Sequence, residues 1–124
     1  MRVFKTKEFA QFARKEGIRD EDLREAVNRA ERGLIDANLG AGLVKQRVAR
    51  PGQGRRGGFR TIIVWRPGDR SMFVHGFPKS RKADLEPDEL VVYREFAALL
   101  LGYDNEAIEK GVAAKELVEV MYDG

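Results

Sequence analysis

The residues able to do chemistry in this chain are cations set at the spacing of a β-strand. Lys45 and Arg47 alternate with Val44, Gln46 and Val48, and the two-residue period of strand side chains puts the two cations on one face and the other three residues on the opposite face. One face can bury while the other meets a polyanion. Arg50, Arg55, Arg56 and Arg60 follow, then Lys79, Arg81 and Lys82, so that residues 42–82 hold eleven Lys or Arg against a single carboxylate, Asp69. The carboxylates that intersperse an ordinary solubilising surface are missing, and cations at this density on a small sheet point to phosphate.

The formal net charge of +3 conceals this asymmetry: residues 45–82 carry eleven basic groups and one acidic, residues 83–124 three basic and eleven acidic. The middle of the chain is therefore the polyanion-binding candidate, and the acidic C-terminal third is not. A length of 124 residues with 43% hydrophobic content predicts one domain over residues 1–124 with a single core. There is no cysteine, hence no disulfide, which fits a reducing compartment. The N-terminal Met1-Arg2-Val3-Phe4-Lys5 lacks the apolar run of a signal peptide, and no stretch approaches the roughly eighteen apolar residues of a membrane span. A soluble, cytoplasmic protein without a membrane partner is expected.

Three strands must position these cations: 43–49, 59–66 and 71–77, each rich in β-branched or aromatic residues and separated by Gly/Pro turns. Val3-Phe4-Lys5 predicts a short first strand, and Phe9, Phe12 and Ala13 a first helix stopped at Gly17. A second helix is expected with Asp20 as N-cap, Leu23, Ala26, Val27 and Ala30 on its apolar face and Gly33 at its end, forming a hairpin with the first over one sheet face. After the strands, Pro87 opens a third helix carrying Leu90, Val91, Tyr93, Phe96, Ala97, Leu100 and Leu101 and closed by Gly102; Asp104 caps a last weak helical segment that Gly111 interrupts. The order is β-α-α-β-β-β-α, an α+β fold with an antiparallel sheet core, two N-terminal helices packed on the sheet and a C-terminal helix.

Gly52-Gln53-Gly54-Arg55-Arg56-Gly57 matches G-x-G-x-x-G, but that fingerprint requires a helix to begin at the glycines, and here Phe59 begins a strand. A dinucleotide site is dismissed. Residues 51–58 read instead as a basic hairpin loop able to settle on a phosphate backbone, or as an ordinary long turn.

The run 43–49, the loop ending Arg55-Arg56-Gly57-Gly58-Phe59-Arg60, the strand after it, Phe77-Pro78-Lys79, Ala83-Asp84-Leu85 and the helix from Pro87 together resemble the RelE/ParE superfamily of type II toxins, most closely its HigB-type RelE branch. The resemblance spans residues 1–101 in order, and 103–124 read as a C-terminal extension of the toxin domain. It implies a RelE-like fold and a small basic toxin that enters the ribosomal A site, cuts mRNA there and is neutralised by a co-expressed antitoxin, often of helix-turn-helix type.

Metal-free RNA cleavage turns the 2′-hydroxyl on the neighbouring phosphorus. It needs an acceptor for the 2′ proton, cations for the charge developing on phosphate, and help for the leaving 5′-oxygen. No carboxylate occurs between Asp36 and Asp69, which disfavours a metal site or a carboxylate pair on these strands, and no cofactor is expected. Arg60 and Arg47 are the candidate phosphate stabilisers, since arginine stays charged and chelates phosphate oxygens. Lys45 is the candidate base, since neighbouring cations depress a lysine pKa. Lys79 is expected beside the scissile phosphate. The matching family positions are basic and functional. Arg50, Arg55, Arg56, Arg81 and Lys82 are expected to grip RNA.

The chain departs from the family where relatives often place a tyrosine or histidine as acid or base. Phe77 stands before Pro78, and Tyr93 does not align with the C-terminal tyrosine of the best-understood relatives. His75, the only histidine, reads as a packed strand residue, with catalysis as the alternative. Trp65 and Phe73 read as core, with base stacking the alternative for Trp65, and Leu99-Leu100-Leu101 as core or an antitoxin groove. Two other functions are compatible with the same fold: a ParE-type inhibitor of DNA gyrase that cleaves nothing, and a non-catalytic RNA-binding module. Clustering of Lys45, Arg47, Arg60 and Lys79 favours the nuclease, because a binding inhibitor has no need to gather cations around one phosphate.

Overall fold

The computed structural model describes residues 1–50, 54–78 and 85–121, with the side chains of residues 50 and 54–57 left out. Its elements are β1 (Arg2–Thr6), α1 (Lys7–Glu16), α2 (Asp20–Glu31), β2 (Ala37–Gly40), β3 (Leu43–Arg50), β4 (Gly54–Arg66), β5 (Arg70–Pro78), α3 (Pro87–Leu101), α4 (Asn105–Ala113) and β6 (Leu117–Glu119). The expected α+β order is present as β1-α1-α2-β3-β4-β5-α3. Two short edge strands, β2 and β6, are added to it. The sheet runs β2-β3-β4-β5-β1-β6 and is antiparallel except where β1 lies parallel to β5.

Helix ends follow local chemistry with one correction. The Thr6 side chain accepts from the Phe9 amide at 3.2 Å, and Gly17 ends α1 in the left-handed region at φ 72°, a conformation glycine adopts without a Cβ penalty. Arg19, not Asp20, stands at the N-cap of α2, and Asp22 reaches back to accept from the Arg19 amide at 3.0 Å. The Asp20 carboxylate is engaged elsewhere, by the Lys5 ammonium of β1 at 2.8 Å and the Met121 amide at 2.9 Å. Pro87 opens α3 as expected, with Glu89 accepting from the Glu86 amide at 2.9 Å.

Apolar side chains form a core on each sheet face. Val3, Phe9, Leu23, Val27, Val48, Phe59, Ile63 and Phe73 fill the side under α1 and α2; Phe4, Leu43, Ile62, Met72, Ala97, Leu100 and Ile108 fill the side under α3 and α4. Phe73 is core as read, and Trp65 packs partly buried against the first cluster. Within α3 the apolar assignment needs revision: Leu100 is buried, whereas Val91 and Leu99 face solvent at 54% and 57% exposure. Gly111 does not interrupt α4 but lies inside it. A Cβ there would stand 2.9 Å from Leu117 Cδ1, so the missing side chain lets β6 pack on the helix. Residues 54–58, expected in a loop, extend β4 instead, with Gly54 paired to Arg50.

The cations of the β4–β5 turn serve the fold. Arg70, 7% exposed, donates to the carbonyls of Leu100 at 3.1 Å and Tyr103 at 2.6 Å, and Arg66 donates to that of Leu101. The last turn of α3 contains no basic residue of its own, and these guanidinium groups satisfy its orphan carbonyls and the negative end of its dipole.

Candidate phosphate site

The site grows out of the strand period. Gln46 turns to the α2 side, where its Nε2 donates to the carbonyls of Ala26 at 2.9 Å and Leu34 at 3.0 Å. Val44 and Val48 join the same core. Lys45 and Arg47 therefore face the opposite side, as the alternation predicts. Register then sets their neighbours: Arg47 pairs with Arg60 and Arg60 with Phe77, while Lys45 pairs with Ile62 and Ile62 with His75. Directly opposed residues on one sheet face have Cβ atoms about 5 Å apart, so Arg47-Arg60-Phe77 and Lys45-Ile62-His75 are two adjacent rows of one sheet face, with Ile62 and Phe77 buried in its core.

A β-bulge makes the second row possible. The β4–β5 pairing steps from Ile62/His75 to Ile63/Phe73, leaving Val74 as the extra residue. Strict alternation would have turned His75 to the Phe73 side, since a one-residue slip inverts every later side chain. Instead His75 meets the α3 side, its ring centroid 5.1 Å from Tyr93 and 5.7 Å from Phe77. It is half-buried among aromatic rings rather than enclosed in the core.

Arg60 is 9% exposed, and its Nη1 has no hydrogen-bond partner. A buried cation whose donor goes unused is costly unless an anion completes it. Arg47 also has a buried nitrogen, Nε, without a hydrogen bond, but its side chain is more exposed and that nitrogen lies 3.3 Å from Asp36 Oδ2 as an ion pair. The sequence reading missed this ion pair. Asp36 reaches Arg47 through the neighbouring edge strand β2, whose Ala37 pairs with Lys45, and four residues with little hydrophobic pattern gave no signal for that strand.

Tyr93 has its phenol pKa pushed up, by burial first and then by the negative charges of Glu89 and Glu8. At neutral pH it is an uncharged phenol that can donate a hydrogen bond or stack, and it is not a base. Lys79, Arg81 and Lys82 lie outside the described residues. The backbones of Arg50, Arg55 and Arg56 belong to β3 and β4, where Arg50 pairs with Gly54, while their side chains are among those left out. Of the cations assigned to catalysis, Lys45, Arg47 and Arg60 are thus brought onto one surface. No helix among the described residues is long and apolar enough to cross a membrane.

No curated protein and no solved structure matches this chain. A family model does, described as the RelE toxin of the RelE/RelB toxin-antitoxin system, and it spans residues 1–120, past the limit at 101 read from sequence and through α4 and β6. With nearly the whole chain matched and an α+β architecture in accord with a RelE-like fold, this protein belongs to the RelE toxin family of toxin-antitoxin systems.

Proposed function

We propose that this toxin is a ribosome-dependent mRNA endoribonuclease that halts translation and is neutralised by a cognate antitoxin, of helix-turn-helix type. Arg60 carries the reading: a guanidinium nine-tenths buried, with one nitrogen unpartnered, between Arg47 and the Lys45 row. Such a group is a preorganised receptor for a phosphate oxygen. The 2′-oxygen attacks the adjacent phosphorus, Lys45 takes the 2′ proton, and Arg60 and Arg47 hold the charge gathering on the equatorial oxygens. Lys79, placed beside the scissile phosphate by the family resemblance, assists the departing 5′-oxygen. Arg50, Arg55, Arg56, Arg81 and Lys82 grip the message on either side.

Incubating purified protein with a ribosome-bound message and mapping the ends by primer extension tests this reading. The expected result is a cut that requires the ribosome and leaves a downstream fragment with a 5′-hydroxyl, the mark of 2′-oxygen attack. Growth arrest with intact messages and an induced DNA-damage response would replace it by gyrase inhibition.

A further inference from the structure

Beneath the cation rows lies a polar side chain that the proposed chemistry does not use. Gln46 is fully buried on the α2 face of β3, between Val44 and Val48, where an apolar side chain would carry no desolvation cost. Both ends of its amide are engaged. Nε2 donates to the carbonyls of Ala26 and Leu34, and Oε1 accepts from the Asp36 amide at 3.2 Å. Gln46 therefore clasps the link between α2 and β2 on both sides of Ile35. Residues 34–36 belong to neither helix nor strand, and the other acceptor of the Asp36 amide, the Lys45 carbonyl at 3.2 Å, also comes from β3.

What the clasp places is the carboxylate of the site. Asp36 reaches Arg47, its Oδ2 3.3 Å from Nε, and this ion pair acts on a phosphate receptor in two ways. It takes up part of the positive charge, and it limits where the guanidinium can stand. The strand behind Arg47 is held as well: Arg29, 5% exposed on α2, donates from Nη2 to the Arg47 carbonyl at 2.5 Å, and Thr61 donates to the Gln46 carbonyl at 2.8 Å. β3 is thus fixed from the α2 side, and Gln46 fixes the Asp36 segment against it. A cation that stabilises a transition state must stand within about 0.5 Å of its productive position, whereas one that only attracts a polyanion need not. Loss of the clasp should therefore separate binding from turnover.

Resting on the endoribonuclease reading, we propose that Gln46 is a positioning residue of the cleavage site, which sets through Asp36 where the Arg47 guanidinium stands. Gln46→Met keeps the bulk and removes the clasp. Two assays read it: a low-salt titration of 2′-O-methyl RNA, which cannot be cut, and single-turnover cleavage of a ribosome-bound message, each on protein whose folding is checked by a thermal melt. The expected movements are opposite, with RNA binding about threefold tighter as Arg47 escapes Asp36 and cleavage about tenfold slower as Arg47 loses its place. A merely structural Gln46 would weaken both. In an Asp36→Asn background Gln46→Met should change neither by more than about twofold, since both substitutions act through one carboxylate. Gln46→Asn keeps the amide but is one methylene short of spanning Leu34 and Asp36; it should move both assays the same way by less, and it serves where Gln46→Met does not fold. Binding that stays equal or weakens in a folded variant, or effects that add to those of Asp36→Asn, overturn the proposal. Absence of any cut by wild type overturns the nuclease reading instead, and the binding cycle, which needs no cleavage, still decides Gln46.

Discussion

Arg60 combines a nearly buried cation with an unused donor on the face that carries Lys45 and Arg47. Arg60→Ala is therefore expected to lower cleavage a hundredfold or more, about 3 kcal/mol of transition-state stabilisation. Because the mutation removes a desolvated charge, its melting temperature should equal or exceed that of wild type. A parallel thermal melt and single-turnover cleavage assay check both halves, and a folded Arg60→Ala with full activity removes Arg60 from the chemistry. Lys45→Ala should also suppress cleavage, and Lys45→Arg should fail to restore it, since arginine cannot give up its proton at working pH; rescue by arginine would make Lys45 a phosphate contact only. Asp36 holds part of the charge of Arg47. Asp36→Asn should free that guanidinium and tighten RNA binding by about threefold to tenfold at low salt, an effect that fades as salt rises. Equal affinities of Asp36→Asn and wild type in a low-salt RNA titration would show the pair to be electrostatically neutral toward the site.

At the scale of elements, the basic stretch divides between two tasks. Charge counting assigned all of residues 45–82 to a polyanion, yet Arg66 and Arg70 are spent on the carboxyl end of α3, and Arg66 also meets Asp69 at 3.2 Å. Arg70→Met keeps apolar bulk but leaves the Tyr103 carbonyl without this donor and weakens the capping of Leu100. The expected cost is about 2 kcal/mol, measurable as a lower urea midpoint at unchanged slope. An unchanged midpoint would mean that water replaces the guanidinium. Helix ends that rest on nearest-neighbour chemistry, such as Gly17 and Pro87, were legible in the sequence. The N-cap of α2 was not, because Asp20 had a stronger partner in Lys5, fifteen residues earlier. The bulge at Val74 was equally hidden: it is a mismatch between β4 and β5 and exists only once they pair.

For the whole molecule, the two-row cationic surface predicts an interaction governed by counterion release. Affinity for ribosomes or RNA should fall steeply between about 50 and 200 mM salt, by tenfold or more if two or three phosphates are neutralised; an affinity independent of salt in a filter-binding series would rule that surface out. By itself the sequence determined that strands would alternate Lys45 and Arg47 against Val44, Gln46 and Val48, that two helices would cover one sheet face, and that the cations of the middle third would share their stretch of chain with a single carboxylate, Asp69. These are consequences of side-chain period, local capping and composition, which act over a few residues. Tertiary structure alone decided that Asp36 neutralises Arg47, that His75 turns toward Tyr93, that Arg70 caps α3, and that Gln46 clasps the link between α2 and β2. Each of these depends on which strand lies beside which and in what register. Register is fixed by packing both sheet faces at once, a constraint that no local window of the sequence contains.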